Sequence, residues 1–132
     1  MKAISLLPGT INISLTEVED PAIGSADEVK VRMLEVGICG TDREEAVGGR
    51  ADAPKGKQHL IIGHEMFGQV VEVGSEVRSV RVGEYAVFTV RRGCGKCLAC
   101  HNNRSDMCYT GNYTERGIKG ADGFQAQYVV DK

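Results

Sequence analysis

The sequence predicts a mainly β fold, a barrel or sandwich of short strands that carries one irregular lobe. Three observations lead there. Short apolar-alternating or β-branched segments recur along the chain, punctuated by turn signals at Gly74-Ser75 and Gly83-Glu84. The 17 glycines among 132 residues favour many turns over long helices. Residues 91–124 break the pattern, being polar, rich in Gly and Asn, and without apolar periodicity. A loop of that length inside a compact domain requires something to pin it.

The elements follow in order. The apolar stretch 3–7 is broken by Pro8-Gly9, which makes it too short for a signal-peptide core or a membrane span. Val29, Val31 and Met33 alternate with Lys30 and Arg32, the pattern of a half-buried strand. Thr41-Asp42-Arg43-Glu44 has the form of a capping box, with Thr41 as N-cap and Glu44 three residues later. It predicts a short helix over 42–47, stopped by Gly48-Gly49. Segments 67–73, 77–82 and 85–90 read as strands, and Ala126, Tyr128 and Val130 alternate again. Lys132 follows that last segment directly, so we read 1–132 as one domain cut from a longer polypeptide.

Composition narrows the classes. The chain is long enough to bury its own core without disulfide staples. With 42% hydrophobic and 26% charged residues it has the make-up of a soluble globular protein. A net charge of -2 gives no electrostatic reason to expect nucleic acid or an anionic membrane as partner. No export signal is read, so a cytoplasmic location is expected, where clustered cysteines hold metal more often than they form disulfides.

Four of the five cysteines fall in one run, Cys94-Gly-Lys-Cys97-Leu-Ala-Cys100, with Cys108 beyond it. Four thiolates this close can close a tetrahedral shell around one ion, an arrangement zinc prefers. Rival patterns fail on spacing. A bacterial ferredoxin run places its fourth Cys after three residues and before Pro, whereas Cys108 follows after seven and precedes Tyr109. A zinc ribbon needs two distant Cys-x2-Cys knuckles, and a zinc deaminase needs His-x-Glu with Pro-Cys-x2-Cys. Structural zinc on Cys94, Cys97, Cys100 and Cys108, pinning a lobe over 91–112, is the expectation that remains.

The fifth cysteine, Cys39, sits in Gly37-Ile-Cys39-Gly40-Thr41-Asp42, and Gly63-His64-Glu65 follows. A Cys with a His-Glu pair suits an open catalytic metal site. Blander readings stand beside it. A lone Cys is often a small buried hydrophobe, a lone His often a satisfied core residue, Thr41 a helix cap, and Asp42 and Glu65 solvated carboxylates.

Read together, the Cys39 block, Gly63-His64-Glu65-x2-Gly68 and the cysteine lobe resemble the zinc-dependent medium-chain alcohol dehydrogenases in order and separation, over essentially the whole chain. The resemblance implies a GroES-like, twisted β-barrel catalytic domain with short helices and a zinc-binding lobe. By it, Cys39 and His64 are ligands of a catalytic zinc and Glu65 is a ligand or near neighbour. Asp42 holds the His64 tautomer, Thr41 begins a proton relay, and Cys94, Cys97, Cys100 and Cys108 hold the structural zinc. The implied reaction oxidises a CH–OH group by hydride transfer to NAD or NADP.

Gly-Ile-Cys-Gly-Thr-Asp-Arg43-Glu44, with Glu115-Arg-Gly117-Ile118 and Asp122-Gly123-Phe124, looks like the glucose dehydrogenase branch. There the glutamate matching Glu115 contacts sugar hydroxyls, and an exposed loop charge is the bland reading of the same residue. A plain alcohol or polyol dehydrogenase is the alternative substrate class. The family's dinucleotide-binding Rossmann domain and a further zinc ligand have no counterpart here, and Gly93-Cys-Gly95 lacks the third glycine of a phosphate-binding fingerprint. The resemblance therefore implies a chain inactive by itself and a homo-oligomeric full-length enzyme. A free-standing zinc-stabilised GroES-like binding module is the alternative of another class. It accounts for the lobe and leaves Cys39, His64 and Glu65 without a role.

Overall fold

The computed structural model describes residues 1–132, built from three small sheets. In the first, β1 (Lys2–Leu6) pairs antiparallel with β2 (Ile13–Glu17), and with β4 (Leu60–Ile61) on its other side. The second has the order β10-β3-β5-β6, from β3 (Val29–Val36), β5 (Met66–Val73), β6 (Tyr85–Ala86) and β10 (Tyr128–Asp131). The third belongs to the lobe. There β7 (Arg91–Arg92) runs antiparallel to β8 (Thr114–Arg116), which runs parallel to β9 (Gly120–Ala121).

Period-two burial builds the main core. Val29 and Val31 point inward from β3, Met66 and Val70 from β5, and Val129 from β10, all around a fully buried Phe124. A smaller cluster of Leu6, Leu60 and Ile62 closes the other side of β1 and β4. Lys30 and Arg32, the polar partners of the β3 alternation, stay off the core, as the pattern predicts.

Two predicted strands are corrected. Segment 77–82 is turn and loop: Val77 N–H donates to the Gly74 carbonyl and Glu84 N–H to that of Arg81. Val77 and Val80 still pack against the core, so their β-branched character reports burial without extended pairing. Of segment 85–90, only Tyr85–Ala86 pairs, with Gln69 and Gly68 of β5. The first β-ribbon, β1 with β2, was not assigned from the sequence. The lobe also holds more regular structure than its composition suggests, with α2 (Leu98–His101) and a 3-10 turn at Ser105–Met107.

Two features of the fold aim the chain at one point. The β3–β5 register slips between Lys30 and Val31 and again between Met33 and Glu35, and such bulges bend and twist the end of a strand. Opposite, segment 123–125 docks on the run out of β4: Gly123 N–H donates to the Ile61 carbonyl, Phe124 N–H to Gly63 and Gln125 N–H to Ile62. Gly117 and Gly123 must both be glycine, since a Cβ on either would lie 2.2 Å from the Gly63 oxygen. This backbone stack sets the position of His64, the next residue.

Candidate metal centres

The bent end of β3 runs through Gly37 into α1 (Gly40–Ala46). The N-cap is Cys39, two residues before the predicted Thr41. Thr41 N–H donates to Cys39 Sγ at 3.3 Å, and Asp42 Oδ2 accepts the Cys39 N–H at 2.7 Å. The capping carboxylate is therefore Asp42, not Glu44. The box that starts the helix also points the thiol outward from its first turn.

Cys39 Sγ lies 2.9 Å from His64 Nε2. With the Glu65 carboxylate these donor atoms all fall within 4.8 Å of one another. Gly37 makes room for the third group, because a Cβ there would sit 2.1 Å from Glu65 Oε2. One soft sulfur, one imidazole nitrogen and one carboxylate is a donor set zinc takes readily in sites that keep an open position. A shared tetrahedral ion would part Sγ and Nε2 to ~3.5 Å, a side-chain adjustment only.

The other face of the imidazole matches that use. His64 Nδ1 is buried and has no hydrogen-bond partner, and the nearest carboxylate oxygen is Asp42 Oδ1 at 3.8 Å. Asp42 is itself buried, and its Oδ1 accepts a long contact from Gln125 Nε2 at 3.5 Å. An ion on Nε2 would leave the proton on Nδ1, facing Asp42.

The lobe gathers Cys94, Cys97, Cys100 and Cys108 into a second group of the same compactness. Cys97 Sγ lies 3.5 Å from Cys100 Sγ and 3.9 Å from Cys108 Sγ. A zinc–thiolate tetrahedron with bonds of about 2.3 Å has edges of ~3.8 Å, whereas a disulfide needs ~2.05 Å. All five cysteines are free thiols. A hydrogen bond from Thr110, with the N–H groups of Lys96 and Cys97, holds the Cys94 thiol down to about 6, while burial pushes Cys100 up to about 11. Four sulfurs this close cannot all carry charge without a cation among them.

Glu115 is not part of either group. It is buried on β8, not an exposed loop charge. Arg91 Nε and Nη2 donate to its Oε1 at 3.1 and 2.6 Å, and Arg50 Nη2 donates to its Oε2 at 3.2 Å. Arg91 Nη1 donates to the Asp106 carbonyl, so this carboxylate ties the lobe to the chain that follows α1.

The sequence reading missed Arg50, Arg91, Gln125 and Glu45. Glu45 is fully buried, and neither of its carboxylate oxygens has a partner. Burial, and after it the charge of Asp42, push its carboxyl up to about 7 against the pull of Arg50. The only signal was position: Glu45 lies three residues after Asp42, on the same helix face.

The comparisons with known proteins bear on the family and the fold. The profile of the alcohol dehydrogenase GroES-like domain matches residues 25–132. Glucose 1-dehydrogenase of Methanocella arvoryzae is 47% identical over 134 residues, covering 100% of this chain and 37% of that protein. Glucose 1-dehydrogenase 2 of Saccharolobus solfataricus is 43% identical, covering 99% and 36%. Among solved structures, Haloferax mediterranei glucose dehydrogenase in complex with NADP, Zn and gluconolactone aligns with a TM-score of 0.86 at 36% identity, covering 99% of this chain and 36% of that one. Galactitol-1-phosphate dehydrogenase from Escherichia coli aligns with a TM-score of 0.83 at 26% identity, covering 100% and 36%. The chain thus spans little more than a third of the length of these relatives. No helix is long and apolar enough to cross a membrane. With the profile matched over residues 25–132, this chain belongs to the alcohol dehydrogenase GroES-like domain family.

Proposed function

We propose that this chain is the metal-binding catalytic domain of a zinc-dependent NAD(P) dehydrogenase that oxidises a sugar such as glucose by hydride transfer. The observation that carries the reading is the convergence of Cys39 Sγ, His64 Nε2 and the Glu65 carboxylate beside a separate four-thiol cluster. Cys39, His64 and Glu65 would hold a catalytic zinc, and Cys94, Cys97, Cys100 and Cys108 a structural one. A zinc ion with an open position lowers the pKa of a hydroxyl bound to it toward neutrality. Thr41, in the first turn of α1, would pass the hydroxyl proton outward. Asp42 holds the His64 ring by its Nδ1 side, and Glu115 accepts a hydrogen bond from a sugar hydroxyl with its remaining lone pair.

In the overall reaction, the C1–H of the sugar leaves as hydride, the C1 hydroxyl loses its proton, and a lactone forms. The cocrystallised Zn and gluconolactone of the Haloferax relative support that assignment. This chain contains no glycine fingerprint for a dinucleotide, and it spans little more than a third of its glucose dehydrogenase relatives, so we assign NAD(P) binding to the remainder of the full-length enzyme. The clustered thiols suit a reducing compartment such as the cytoplasm.

The polyol and alcohol dehydrogenases among the structural relatives supply the second reading. A panel of aldoses, polyols and monohydric alcohols, run on the full-length zinc-loaded enzyme with NAD and NADP, separates the two. Preference for an aldose supports the proposal, and preference for a monohydric alcohol overturns it. An enzyme that turns over none of them removes the catalytic reading.

A further inference from the structure

Glu115 is held by two arginines that are used very differently. Arg91 is engaged on every nitrogen: Nε and Nη2 donate to Glu115, Nη1 donates to the Asp106 carbonyl, and its guanidinium lies over the Tyr113 ring at 4.2 Å. Arg50 makes one hydrogen bond, Nη2 to Glu115 Oε2, and its side chain is 57% exposed. Of its five N–H donors, four remain free. Its backbone is nonetheless anchored two residues on, where Asp52 N–H donates to the Ile118 carbonyl and Gly120 N–H to that of Asp52.

Arg50 follows α1, whose cap is Cys39, and Glu115 lies two residues before Gly117, which packs on Gly63 beside His64.

A free lone pair on a buried carboxylate next to free donors on an exposed guanidinium is an acceptor and a donor side by side. A hydroxyl is donor and acceptor at once, so a single hydroxyl seated here donates to Glu115 and accepts from Arg50. A monohydric alcohol spends its only hydroxyl at the reacting position. We infer that Arg50 is a specificity-determining residue that, with Glu115, binds a hydroxyl of the substrate other than the reacting one. This rests on the proposed function and names a second residue for its substrate selection.

The test uses the full-length zinc-loaded enzyme and its Arg50→Ala and Arg50→Lys variants. Substrates are glucose, deoxyglucoses each lacking one ring hydroxyl, and a monohydric alcohol. Arg50→Ala is expected to raise KM for glucose roughly ten- to a hundredfold, the worth of a charge-assisted hydrogen bond, with kcat nearly unchanged. The alcohol is expected to keep its KM, Arg50→Lys to restore part of the loss, and one deoxyglucose to become insensitive to the substitution. Equal losses on glucose, all deoxyglucoses and the alcohol would assign Arg50 a structural role and overturn the inference, as would an unchanged KM for glucose. A wild-type enzyme that prefers no sugar or polyol would fail at the first measurement and bring down the proposed function with it. A wild-type enzyme active on glucose with an indifferent Arg50→Ala variant would bring down this inference alone.

Discussion

His64 stands between two partners of opposite kind: its Nε2 is 2.9 Å from the Cys39 sulfur and its Nδ1 is 3.8 Å from Asp42 Oδ1. Asp42 is also the carboxylate that caps α1 by accepting the Cys39 N–H. One acidic residue therefore caps the helix start that carries the sulfur and faces the far side of the imidazole proposed to hold the ion. Replacing it acts on the site twice.

Asp42→Asn is expected to keep the fold and weaken the open site. Loss of the carboxylate behind a metal-bound histidine typically costs 10–100-fold in affinity. Zinc titration of the chain should show two classes of site in the wild type, with only the weaker one shifted in the variant. Cys39→Ala and His64→Ala should each remove the weaker class outright. Two unchanged classes in all three variants would dissociate these residues from the metal.

The lobe should respond locally. Cys97 is buried and central to the four thiols, so Cys97→Ser removes a ligand that no neighbour can replace. Hydrogen exchange of the zinc-loaded chain is expected to speed up over residues 91–112 and to change little in β3 and β5, because the metal closes the loop where it binds. Iron in elemental analysis would overturn the zinc assignment. Uniform loss of protection across β3 and β5 would show that the lobe also supports the barrel.

Much of the architecture was legible because burial and alternation coincide. Val29, Val31 and Met33 announced β3, and the cysteine spacing announced a compact thiol cluster. The misreadings share a physical cause. Val77 and Val80 are apolar for the sake of packing while their backbone bonds are spent in turns. The helix cap was misplaced because a thiol caps α1 where a hydroxyl was expected. Arg50, Arg91 and Glu45 were invisible because each depends on a contact between distant segments or on burial of a charged group, and neither leaves a period in the sequence.

The proton on Glu45 gives the last prediction. This carboxyl is fully buried without a hydrogen bond, and its pKa in the folded chain is pushed up to about 7 by burial first and by Asp42 second. In the unfolded chain it titrates near the ordinary 4.5. Between those values the folded state binds more protons than the unfolded one, so stability falls as pH rises. The contribution is fully present below pH ~4.5, is lost as pH climbs through about 7, and then stays lost. The total is on the order of 3 kcal/mol. Glu45→Gln keeps the shape and removes the titration. Thermal unfolding of the zinc-loaded wild type and variant should therefore differ little near pH 4.5, diverge in favour of the variant up to about pH 7, and run parallel above it. Arg50→Ala removes the one cation that opposes the rise, so it should carry the wild-type loss of stability to still higher pH. Parallel curves for wild type and Glu45→Gln from pH 4.5 to 8 would mean that Glu45 ionises in the fold as freely as in the unfolded chain, and that Arg50 or water reaches it.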